Sequence, residues 1–194
     1  MEKDPQQAIA EAEKETKDRK KNPGLFSVIW ETVRYIIIAA IIIIPIRTFV
    51  AQPFVVSGNS MYPTFANGEY LIVNELAKYT DEYRRGDVVI LRYPNDPSKY
   101  FIKRVIGLPG ETVRMVDGEV WINGQKLREP YIVPEYRDQQ SHSPMVVPSG
   151  EFYVLGDRRN SSNDSRAWGT VAQKYIYGKA VFVYWPVDRL GFLP

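Results

Sequence analysis

The chain has 194 residues, a net charge of +2 from 25 Lys and Arg against 23 Asp and Glu, one histidine and no cysteine. That length suits one domain with an appendage, and so small a net charge offers no field for a polyanion, so nucleic acid is not an expected partner. No disulfide framework, thiolate nucleophile, Cys-based metal site or cluster of imidazole ligands is possible with these residues, and neither metal nor cofactor is expected.

Residues 1–24 are polar and alternate in charge, which predicts a frayed helix or a disordered tail. An apolar segment follows. Its charge-free centre, Tyr35 to Ile46, is 12 residues and short for a bilayer, but Val33 to Val50 is 18 residues, about 27 Å as helix. Arg34 and Arg47 are placed to snorkel, Trp30 to anchor at the interface, and Pro45 lies near the end where a kink is tolerated. The expected division is a cytoplasmic tail over 1–29 and a transmembrane helix over 30–50. Lys17, Arg19, Lys20, Lys21 and Arg34 lie before or early in the span, whereas after Arg47 the next basic residue is Lys78. This bias predicts a cytoplasmic amino terminus and a carboxyl-terminal domain outside the cell membrane. A cleaved signal peptide is the rival reading. The long preceding region, and TFVAQPF without a small-x-small pair after the run, favour a permanent anchor. Apolar residues on nearly every side over Ile36 to Ile44 disfavour a buried core helix.

From Ala51 onward the pattern changes to short β-type runs: Tyr70 to Val73, Asp87 to Tyr93, Tyr100 to Ile106, Phe152 to Leu155 and Ala180 to Tyr184. Asp117-Gly118 between TVRMV and EVWI signals a hairpin, and Asn123-Gly124 another turn. Pro134 to Pro148 has no periodicity and reads as a long surface loop or part of an inserted subdomain.

VVSGNSMYPT, Val55 to Thr64, has too many turn-formers for a helix and holds Ser60 in a constrained turn. Such a turn displays a nucleophilic hydroxyl and leaves neighbouring N–H groups free for an oxyanion, although the same composition also makes ordinary loops. A serine needs a base. The one histidine, His142, lies in the polar stretch QQSHSP and reads as a solvated loop residue, leaving a carboxylate or a neutral lysine. In YFIKRVIG, strand alternation puts Phe101, Lys103 and Val105 on one face and Arg104 on the other. Lys103 would then sit among apolar neighbours that disfavour its ammonium form; the bland alternative is a solvated surface lysine.

Four blocks in order, SGNSMYPT, RRGDVVILRYP, FIKRVIGLPGE and GDRRNSSNDSR, resemble those of the bacterial type I signal peptidases, membrane-anchored Ser-Lys proteases. The single span and compact length look like the Gram-positive branch. The resemblance implies a mainly β fold: an antiparallel catalytic domain over 51–111 and 149–194, with a small inserted β subdomain over 112–148. It makes Ser60 the nucleophile and Lys103 the general base, and aligns Ser162 with the serine that hydrogen-bonds and orients the lysine. Asp157, Asp164 and Arg166 match supporting positions of the last block. Phe54, Val56, Met61, Phe65 and Ile102 would surround shallow pockets for alanine-sized side chains; ordinary core is the alternative for them.

Two departures stand out. Gly58 occupies a position where some members carry an oxyanion-hole serine, which leaves the oxyanion to backbone N–H groups at Gly58 and Ser60, chiefly that of Ser60. Arg158 stands where asparagine is common. The implied partners are signal peptides of exported preproteins, the lipid bilayer and, by proximity, the secretion translocon. Edges near Pro53 to Gly58 and Tyr100 to Lys103 would take the substrate as an added strand. A self-cleaving repressor-type Ser-Lys protease shares the dyad, but the chain offers an anchor and no recognition-helix module. An inactive tethered β domain that binds exported peptides is disfavoured by the joint presence of Ser60, Lys103 and Ser162.

Overall fold

The computed structural model describes residues 25–45, 51–80 and 83–193. The tail predicted over 1–24, and the end of the span over 46–50, lie outside the described residues. By its internal contacts the chain divides after Pro45 into two units.

The first unit holds α1, Leu25–Pro45. Its apolar span Leu25–Ile44 is 20 residues with a mean hydropathy of 2.0 and nothing buried, about 30 Å of helix against a hydrocarbon core of about the same thickness. The helix starts five residues before the expected Trp30, because Leu25, Phe26, Val28 and Ile29 extend the apolar surface across Glu31 and Arg34. Trp30 therefore lies within the helix instead of at its start. Thr32 donates its hydroxyl to the Val28 carbonyl at 2.8 Å, which satisfies that polar group locally.

The second unit is mainly β. In chain order its strands are β1 (Ala51–Val55), β2 (Tyr70–Asn74), β3 (Val88–Tyr93), β4 (Asp96–Gly107), β5 (Thr112–Val116) and β6 (Glu119–Ile122). Then come β7 (Gln125–Lys126), β8 (His142–Val146), β9 (Glu151–Leu155), β10 (Val171–Ala172), β11 (Ile176–Trp185) and β12 (Gly191–Phe192). Two short helices, α2 (Ala77–Thr80) and α3 (Ser165–Trp168), interrupt them. All pairings are antiparallel. The larger sheet runs β1-β2-β11-β3-β4-β9-β10 with β12 on β11, and the smaller runs β7-β6-β5-β8.

The run VVIL of β3 is buried on both faces of the larger sheet. Val88 and Ile90 pack with Leu71, Val73, Ile102, Ala180 and Val183 on one side, and Val89 and Leu91 with Val105, Val154 and Ile176 on the other. This is why the run reads as continuous, not alternating. A third cluster joins Val113, Met115, Val120 and Ile122 of the smaller sheet to Ile106, Tyr153 and Leu155 of the larger. The hairpin at Asp117-Gly118 has both residues at positive φ, 48° and 76°, as a two-residue turn of this kind requires.

Pro134 to Pro148 is not a loop throughout: it contains a 3-10 turn at Pro134–Tyr136 and the strand β8 on β5. His142 accordingly sits in a strand, half-buried, with Nε2 3.3 Å from the Asp138 carboxylate.

Candidate active site

Ser60 lies in the turn between β1 and β2. The Tyr62 N–H donates to the Asn59 carbonyl at 3.1 Å and the Phe65 N–H to the Met61 carbonyl at 2.9 Å, which closes the turn on either side. Met61 and Phe65 are 1% and 0% exposed and belong to the core with Leu71 and Ile90. Their side chains pack under the serine turn and anchor it to that core. Truncating either would cost on the order of 2–5 kcal/mol.

Lys103 reaches Ser60 from β4. Its Nζ donates to Ser60 Oγ at 2.8 Å and to the Ile102 carbonyl at 2.9 Å, and the residue is 3% exposed. Burial pushes its pKa down from 10.5 to about 8; Asp164 and Asp157 pull it back up in part, and Arg166 lowers it. An ordinary surface lysine would be charged at neutral pH almost without exception; this one is poised to exchange a proton.

Arg104 points to the opposite face, as alternation requires, but it is buried too. Its Nε and Nη2 donate to the two Asp157 oxygens at 2.9 and 2.6 Å, and its guanidinium lies 4.0 Å from the Tyr131 ring centroid. Thr64 also donates to Asp157 at 2.5 Å, so this carboxylate ties β4 to the end of the serine turn. Asp164 caps α3, accepts from the Gly156 N–H at 3.0 Å and pairs with Arg166 at 2.8 Å. Arg166 in turn holds Asp138 at 2.7 Å and the Ser162 carbonyl at 3.3 Å. Arg159 is fully buried, donates to the Gly156 carbonyl at 2.9 Å and pairs with Glu129. Sequence reading missed Arg104, Arg159 and Glu129. Only Arg104 stands at a strand position; Arg159 lies in a 3-10 turn and Glu129 outside any strand, and each has its partner too far along the chain to be seen.

Two expected contacts are absent. Ser162 Oγ is buried without a hydrogen-bond partner and makes no bond to Lys103, whose donors are taken by Ser60 and Ile102. Gly58, at φ 98°, gives its N–H to the Asn67 side chain at 2.8 Å and has none to spare for an oxyanion. The Ser60 N–H makes no hydrogen bond among the described residues. On its other side the Ser60 carbonyl accepts from Arg158 N–H at 3.0 Å. Gly156 packs so closely here that a Cβ would stand 2.5 Å from the Ser60 oxygen and 2.2 Å from Ser162 Oγ.

A cleft of about 260 Å³ opens beside the pair, lined by Phe54, Val56 and Ile102 as expected, and also by Leu71, Ile90 and Tyr100. Its walls are β1, the edge of the larger sheet, and the part of β4 before Arg104, which has no neighbour on the side where β9 pairs only from Arg104 onward. Phe54 and Tyr100 approach across it with ring centroids 5.9 Å apart. Serine, buried lysine and apolar cleft together can attack a carbonyl of an extended chain.

The family model for signal peptidase, peptidase S26, matches residues 29–185. Signal peptidase I of Bacillus licheniformis is 37% identical over 185 residues, covering 91% of this chain and 97% of its own. Signal peptidase I of Leptolyngbya laminosa is 41% identical over 181 residues, covering 88% and 87%. A crystal structure of a signal peptidase I from Enterococcus faecalis V583 is 32% identical, covers 50% of this chain and 96% of its own, and has a TM-score of 0.45. On the extent of the family-model match and of the two sequence matches, the chain belongs to the signal peptidase family of serine peptidases, peptidase S26.

Proposed function

We propose that this peptidase removes amino-terminal signal peptides from exported preproteins, cleaving after small residues of the Ala-x-Ala type through an acyl-enzyme on Ser60. The observation that carries the mechanism is the 2.8 Å contact between Ser60 Oγ and a buried Lys103 whose pKa is pushed down to about 8. Neutral Lys103 takes the hydroxyl proton as Oγ attacks the scissile carbonyl. The oxyanion is met by the unengaged Ser60 N–H. Collapse breaks the C–N bond, and the lysine ammonium returns the proton to the leaving amine. Lys103 then takes a proton from water as the water oxygen attacks the acyl carbonyl, and returns it to Oγ as the C–Oγ bond breaks, which releases the acyl group as a carboxylic acid and restores Ser60.

The charged lysine of the intermediate has a third donor, and Ser162 Oγ, partnerless and packed by Gly156 against Ser60, is the acceptor on offer. Asp157, Asp164 and Arg166 hold the surrounding loop through ion pairs and move no proton. In the cleft, Phe54, Val56 and Ile102 with Leu71 and Ile90 leave room for methyl-sized side chains, and the free edges of β1 and β4 supply main-chain pairing to an extended substrate.

The apolar helix α1 anchors the chain in the cell membrane as a single span, with the amino terminus in the cytoplasm and the catalytic domain outside, near the translocon that delivers the substrate. The bias of Lys and Arg toward the amino-terminal side supports that orientation. Ten residues separate Val50 from Ser60, a reach of at most about 33–36 Å, which keeps the serine near the surface where a signal peptide emerges. Incubation of the detergent-solubilised protein with a preprotein, followed by mass measurement of the new amino terminus, tests the reading. A single cut after a small-x-small site is expected; no cut, or one elsewhere, overturns it.

A further inference from the structure

Around the serine turn Arg104 pairs with Asp157, Arg159 with Glu129, and Arg166 with Asp164 and Asp138, while Arg189, which donates to the Thr64 carbonyl at 2.8 Å, lies 3.5 Å from Glu69. Arg158 has no carboxylate partner among the described residues. Its guanidinium lies 5.1 Å from the centroid of the Tyr136 ring, and its Nε is shielded from solvent without a hydrogen-bond partner. The Tyr136 ring meets Tyr62 edge-on at 5.6 Å, and Tyr62 is 40% exposed. This half-open platform stands beside the reacting serine: Tyr62 follows it by two residues, and the Arg158 N–H bonds to its carbonyl. None of the three side chains lines the apolar cleft. A chain cut at Ser60 leaves its acyl half in the cleft, so its amine half lies outside the cleft, on the far side of the serine.

We propose that Tyr62, Tyr136 and Arg158 form a subsite for the first residues of the released chain, with Arg158 selecting an acidic side chain there. The inference rests on the peptidase reading above and deepens it. A guanidinium stacked on a ring is held in one plane, and one without a counter-ion, already partly desolvated, has little more to lose on meeting a carboxylate. A carboxylate from the substrate supplies the bidentate partner that Arg104, Arg159 and Arg166 find within the fold.

The test compares three peptides with the same signal portion and Asp, Ala or Lys within the first three released positions. The full-length enzyme is expected to cleave the Asp peptide with a kcat/KM roughly tenfold above the Ala peptide, and the Lys peptide least well. Arg158→Gln should bring the Asp to Ala ratio close to one, and Arg158→Glu should turn the order toward Lys. Equal cleavage of the three by wild type, or loss of rate in Arg158→Gln with the ratio retained, overturns the subsite while leaving the peptidase reading intact. Absence of any Ser60-dependent cleavage would bring down both.

Discussion

Lys103 and Arg104 are consecutive, oppositely directed and both buried, yet only Arg104 has a carboxylate in hydrogen-bond contact. The arginine is held charged by Asp157 on two sides; the lysine is given a hydroxyl and a carbonyl. One strand thus carries a fixed cation on one face and a titratable amine on the other. The difference lies in what each meets, since desolvation acts on both.

This arrangement sets the pH dependence of the reaction. In the proposed mechanism Lys103 is neutral when it accepts the Ser60 proton, so kcat/KM should rise with pH along an acidic limb near pH 8, where the depressed lysine titrates. His142 contacts Asp138 on the smaller sheet, and His142→Ala should leave the limb in place. Ser60→Ala and Lys103→Arg should each abolish turnover, the latter because arginine does not give up its proton. A pH profile of the His142 variant that lacks the limb would show that histidine, and not lysine, is the base.

The same burial costs stability. The native lysine loses its proton near pH 8 and the unfolded one near 10.5. Below pH 8 both states are protonated and the full penalty is present; between 8 and 10.5 the unfolded state binds more protons, so stability rises with pH. Lys103→Met, which has no charge to bury, should therefore be more stable than wild type at pH 7 by up to about 3 kcal/mol. Chemical denaturation at pH 7 and at pH 10.5 should show that advantage shrinking at the higher pH.

Gly156→Ala probes the packing behind the nucleophile. Rotation of the Ser162 hydroxyl does not clear the added methyl, because Ser162 Cβ stands 2.6 Å from it, and the Ser60 carbonyl is backbone and cannot move alone. A shift of the serine by even part of an ångström should lower kcat/KM by about 100-fold. The thermal midpoint should fall by an amount equivalent to about 1–3 kcal/mol. Unchanged kcat/KM would mean that Ser60 is positioned by its own turn.

Asp157→Ala leaves Arg104 buried and unpaired and removes the acceptor of Thr64. The loss should be about 3–5 kcal/mol, visible as a large drop in Tm. Glu119→Ala, which opens the half-exposed pair with Lys126, should change stability by less than about 1 kcal/mol.

The two-residue hairpin and most strand centres were legible because turn chemistry and β-branched runs are local signals. Turn-formers around Ser60 and apolar alternation around Lys103 were local signals for a turn and for a buried lysine, both of which the structure has, whereas the roles given to the two residues came from the family resemblance. The burial of Arg104 was not legible, because it depends on Asp157, 53 residues on. Met61 and Phe65 had two readings, pocket wall from family likeness and ordinary core, and both are buried in the cluster with Leu71 and Ile90; pattern alone cannot tell an apolar residue under a cleft from one facing it. The strand β8, HSPMV, has little β character of its own and owes its form to pairing with β5.

The unpaired edge of β1 and the unpaired part of β4 before Arg104 leave the hydrogen-bonded wall of the larger sheet open on both sides of the cleft. An extended chain laid between β1 and the free part of β4 would close the gap in the hydrogen-bonded wall, so occupancy should add to the integrity of the fold itself. The same open edges carry a liability, since they invite pairing with any strand, including one from a second copy. Pro53, which withholds a donor from β1, and the charges of Asp96 and Lys99 at the start of β4 stand where such unwanted pairing would begin.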